Sequence, residues 1–170
     1  MNNKWRIRVL TLVSFSLALA GCTAFSRQSF SQQGATQSGT LNGEQIYFTG
    51  VDSQGQRITY AGGPNFGGMM MGSYLTCASC HGPDAHGGTH YMHMEVMDAP
   101  AIYYDALNSM MVEESGGTET PGGYTLQDFR TAVIEGKHPD GDQMDSEMPR
   151  WKMNDTDLAD LFAFLKTIPR

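Results

Sequence analysis

The chain has 170 residues, with 18 acidic against 11 basic side chains and a net charge of −7. That length supports one core-forming domain. So acidic a surface repels nucleic-acid phosphates, which excludes DNA and RNA as partners. It favours a protein partner with a basic docking patch, mainly through association rate.

Met1–Arg8 carries Lys4, Arg6 and Arg8 without an acid, and Val9–Ala20 is a short apolar run that leads to Gly21-Cys22. This is the layout of a secretory signal, and the run falls short of the roughly 20 residues needed to span a bilayer. Leu19-Ala20-Gly21-Cys22 resembles the bacterial lipobox. That resemblance implies removal of residues 1–21 and lipidation of Cys22, with several acyl chains giving firm membrane attachment. It also implies a periplasm-facing place in the cell envelope. Thr23 after the cysteine, rather than Asp, points to the outer membrane. Three basic residues leave with the signal, so 8 face 18 acids and the remaining chain carries −10.

Residues 22–40 are rich in Ser, Gln, Thr and Gly and read as a lipid-anchored flexible tether, spanning roughly 25 Å as a coil. The domain then runs over residues 41–170. Asn42 reads as the cap of a short helix ending near Gly50, with Ile46 and Tyr47 on its core face. Val51–Ser73 reads as irregular, with one β-like piece at Gln56–Tyr60, several glycines and Met69-Met70-Met71.

Cys77-Ala78-Ser79-Cys80-His81 carries the chemistry. Two thiols three positions apart can reach the two vinyl groups of a haem, and the next residue supplies an imidazole to the iron. A zinc site would require about four ligands, and no second cysteine pair exists. A thioredoxin-like thiol pair would need a βαβ pattern, which is absent. If Cys22 holds lipid and Cys77 and Cys80 hold haem, none of the three cysteines remains for a disulfide.

His90-Tyr91-Met92-His93-Met94 with Met97 follows closely. Methionine and histidine together suit copper, but this close to the attachment motif the cluster is better explained by packing on a porphyrin. Thr125–Asp128 forms a capping box, after which Leu126, Phe129, Val133 and Ile134 keep helical spacing up to Gly136. The closing helix starts at Asn154 or Asp155 and carries the stripe Leu158, Leu161, Phe162, Leu165 and Ile168. Between these helices lies Met148-Pro149. Met148 is the candidate sixth iron ligand, with Met144 and Met153 as rivals and His86, His90, His93 and His138 as imidazole alternatives.

Cys77–Gly82, the helix Tyr124–Gly136, Met148-Pro149 and the helix Asp155–Thr167 together resemble the class I cytochromes c. The resemblance implies a mainly α fold of three to four helices around one covalently bound haem c, here with a Gly/Met-rich loop inserted before the haem motif. Cys77 and Cys80 would hold the haem covalently, and His81 and Met148 would be its axial ligands. The first and last helices would cross at a contact drawn from Gly43, Tyr47 and Phe162, and Trp151 and Tyr74 would line the pocket. The function implied is single-electron transfer between redox proteins, with no catalytic residue. Two alternatives stand beside it: a five-coordinate haem sensor or enzyme, and a copper-handling lipoprotein using the 90–97 cluster.

Overall fold

A helix packed at one end propagates upstream without a new nucleus until something stops it. In the computed structural model, which describes residues 25–64, 75–92, 95–114 and 123–170, the first helix, α1, runs over Phe25–Thr49. It therefore starts well before Asn42, and residues 25–40, read above as coil, are helical. Ser, Thr and Gly there cost up to about 1 kcal/mol each, but no proline breaks the ladder. Gly50 (φ 64°) ends the helix, donating its N–H to the Ile46 carbonyl at 2.9 Å. Residues 39–170 form a compact unit of their own, whose fold follows. Cys22, the lipobox, Tyr74 and Met69–Met71 lie outside the described residues.

The short helix α2 is Cys77–His81, α3 is Tyr104–Glu114, α4 is Leu126–Arg130 continuing into a π-turn at Thr131–Glu135, and α5 is Asp155–Leu165. The domain is mainly α, as expected. The capping box closes reciprocally: Asp128 N–H donates to Thr125 Oγ1 at 3.2 Å, and Thr125 N–H donates to Asp128 Oδ2 at 2.8 Å. Asn154 caps α5 through Asp157 N–H at 2.9 Å. Leu158, Leu161, Phe162 and Leu165 are all buried.

Asn42 is buried inside α1 rather than capping it. Its amide donates to Asp157 at 2.9 Å and Asp160 at 2.8 Å on α5, while its oxygen accepts from Ser53 N–H at 2.7 Å. The next residue, Gly43, rests directly on α5, where a Cβ would run into the Asp160 carbonyl and the Leu161 nitrogen. The aromatic part of the crossing is Tyr47 against Phe164, with ring centroids 5.4 Å apart. Phe162 instead stacks on Phe129 at 5.1 Å, so it belongs to the α4–α5 contact.

Two small antiparallel sheets complete the domain. Strand β1 (Thr59–Ala61) pairs with β4 (Arg150–Lys152), setting Tyr60 opposite Trp151. Strands β2 (Gly88–Met92) and β3 (Glu95–Ala99) form a hairpin in which His90 faces Met97 and Tyr91 faces Val96. Neither this hairpin nor α3 is expected from periodicity. The hairpin turns polar His90 inward and leaves Tyr91 81 % exposed, which inverts the usual strand pattern.

Candidate cofactor site

The Cys-x-x-Cys-His segment is short because it is pinned at both ends. Thr76 N–H donates to the Ser79 hydroxyl at 3.1 Å. At the other end Gly82 (φ 77°) turns the chain away, its N–H on the Ala78 carbonyl at 3.1 Å. The Tyr47 hydroxyl donates to the Gly82 carbonyl at 2.6 Å and so ties the segment to α1. Burial pushes that phenol well above its ordinary range, which keeps it a donor.

His81 is buried, and its Nδ1 lies 2.9 Å from the Pro100 carbonyl. A carbonyl only accepts, so Nδ1 carries the proton and Nε2 keeps its lone pair. Burial lowers the pKa of this imidazole, and the Pro100 contact offsets the shift only in part, so the neutral, ligating form is favoured. Burial also pushes the Cys77 thiol up to about 12 and raises that of Cys80. Partly buried thiols with raised pKa ionise little, and the thiolate is the form that oxidises.

Cys77, Cys80, His81 and Met148 all line one cavity of about 560 Å³, within the range of about 300–1,000 Å³ usual for small-molecule and cofactor sites. Its walls are mainly apolar and come from α1, α2, β3, α3, α4, the loop before β4, β4 itself and α5. Trp151 lines it, as expected, and so do Met97, Met110, Met111, Tyr124 and Phe129. The α3 residues were not singled out by sequence, since the helix that presents them was not expected. The donor set and the apolar enclosure fit a covalently attached iron porphyrin: two thiols for its substituents, an imidazole for its iron and a thioether in the same space.

Several rival ligands can be sorted by position. Met144 and His138 reach the cavity wall; Met153, His86 and His90 do not. His86 sits outside beside Tyr103, ring centroids 4.6 Å apart. Met97 is buried in the cavity wall across from His90. His93 and Met94 lie outside the described residues. Among the described residues no group of three or more His, Cys, Asp or Glu side chains is placed to hold a metal ion.

Residues 73–169 match the family model for cytochrome c, a stretch that contains the attachment motif, the loop with Met148 and α5. No curated protein and no solved structure matches the chain.

Proposed function

Since the chain belongs to the cytochrome c family, and with it carries covalently attached haem c, we propose that it is a monohaem electron carrier with His81 and Met148 as axial ligands. The haem iron supplies a one-electron couple. The observation that carries this reading is the convergence of Cys77, Cys80, His81 and Met148 on one apolar cavity.

The protein's part is to bind, orient and exclude water. Cys77 and Cys80 form the two thioethers. Pro100 fixes the tautomer and plane of His81 through the 2.9 Å contact at Nδ1. Met148 would supply its thioether to the haem iron, leaving no site for substrate, and its neutral sulfur would favour the reduced state and raise the potential. Met97, Met110, Met111, Phe129 and Trp151 keep water from the metal's surroundings. Asp145 and Glu147 at the cavity edge, with the acidic surface as a whole, suit a redox partner bearing basic residues. The lipobox supports an anchor at Cys22 that holds the domain on the periplasmic side of the outer membrane. Among the described residues no helix is long and apolar enough to cross a membrane.

Optical spectroscopy of the haem-loaded protein tests the ligation. The oxidised form shows the weak Fe(III)–Met charge-transfer band at the red edge of the visible, Met148→Ala loses it, and the reduced wild type takes up CO poorly. A missing band together with ready CO binding would favour a five-coordinate sensor or enzyme.

A further inference from the structure

Three side chains able to bond iron reach the cavity from one stretch of chain, His138, Met144 and Met148. That stretch has little regular structure of its own. It holds a single bridge between Lys137 and Gln143. Its local main-chain bonds include Gly141 N–H to the His138 carbonyl at 2.9 Å, Met144 N–H to the Gly136 carbonyl at 2.9 Å and Met148 N–H to the Asp145 carbonyl at 3.2 Å.

What converges on its second half is one cation. Arg150, opposite Ala61 in the β1–β4 pair, donates through Nη2 to the Met144 carbonyl at 3.0 Å. Both Nη atoms reach the Asp145 carbonyl at 3.3 Å, and Nη1 also donates to the Met148 carbonyl. The main chain at both methionines is therefore tied to a single planar fork of donors, whose rigidity fixes the three carbonyls relative to one another. The guanidinium is seated against Gly136. A Cβ there would collide with Nε and Cζ of Arg150, and the backbone is left-handed as well (φ 67°). Gly136 thus has two functions: it ends the π-turn and it leaves room for the fork.

We infer that Arg150, seated on Gly136, is a positioning residue that fixes the 144–148 main chain so that Met148, and not Met144 or His138, occupies the sixth position. The inference rests on the proposed ligation by Met148. A lysine at 150 would keep the charge but supply no planar fork, so geometry rather than charge sets the choice.

The test is displacement of the methionine by added imidazole in the oxidised, haem-loaded protein, followed at the Fe(III)–Met band. Arg150→Gln, Arg150→Lys and Gly136→Ala are compared with Lys152→Gln, an exposed charge on the same strand. Hydrogen bonds from a charged donor are among the stronger ones. The imidazole concentration at half-loss therefore falls about tenfold in both Arg150 variants and in Gly136→Ala, equivalent to about 1.4 kcal/mol, while Lys152→Gln matches wild type. Adding Met144→Leu or His138→Gln to Arg150→Gln alters the residual spectrum according to which side chain moves in. Wild-type half-loss concentrations in Arg150→Gln and Gly136→Ala would overturn the inference; if Arg150→Gln fails to take up haem, Arg150→Lys and Gly136→Ala decide. A wild-type protein without the band would instead remove the ligation on which it stands, a result visible before any variant is made.

Discussion

The thiol–imidazole segment and the methionine loop line the same cavity, yet they are held by different means. Thr76–Gly82 is pinned by neighbours in sequence and by two main-chain contacts, Tyr47 on the Gly82 carbonyl and Pro100 on His81. The 137–149 loop depends on a long side chain from the strand beyond it, reaching back to three carbonyls. The attachment segment is thus tied to distant parts of the chain, at Tyr47 and Pro100, 35 and 19 residues away, whereas the methionine loop is held by one side chain two to six residues from the carbonyls it binds. With that single anchor, the loop is the part that tuning or damage alters first.

The largest expected effect lies on the first side. Cys77→Ala with Cys80→Ala leaves no thioether, and the porphyrin becomes extractable in acid-acetone. Without it the apolar walls of a cavity of about 560 Å³ face water, and the cooperative unfolding transition seen by circular dichroism is lost or shifted sharply down. A double variant that retained covalent colour would break the comparison at its base.

Next comes the crossing that supports both regions. Gly43→Ala places a methyl group against the α5 backbone, and overpacking of this kind costs about 1–3 kcal/mol or more. Asn42→Ala removes two donors from carboxylates on α5, one of them on the buried Asp157, and leaves Ser53 N–H without its acceptor. Each stranded group costs about 1–3 kcal/mol. Urea unfolding of the haem-loaded variants measures both. If the two regions are held independently, Asn42→Ala lowers stability and leaves the Fe(III)–Met band in place. The smallest effect is that of Thr125→Ala, which removes an exposed cap and costs about 1 kcal/mol, again without change in ligation.

Sequence discloses what is local. The attachment motif, the capping box at Thr125, the α5 cap at Asn154 and the glycine stops at Gly50 and Gly136 are short-range patterns, and each occupies the place expected. Asn42 misled because the same side-chain amide serves a helix cap and a buried cross-helix bond; only the partner helix tells them apart. Phe162 and Phe164 lie on different faces of α5 and are both apolar, so periodicity could not assign the α1 contact to Phe164. The 88–99 hairpin has no alternating apolar pattern to mark it, because its buried Met97 faces the polar His90 while Tyr91 and Val96 are exposed. Arg150 carries no sequence signal at all, since its partners are main-chain carbonyls and any residue has one.

Every other property of the site follows from how the porphyrin is joined to the chain. Mass spectrometry of the protease digest of purified, haem-loaded protein reads this directly. The expected result is one haem per chain, carried on the peptide containing Cys77–His81, with neither cysteine of that peptide open to alkylation. A haem-free Cys77–Cys80 peptide with both thiols reactive, from protein that is nonetheless folded and redox-active, would contradict it.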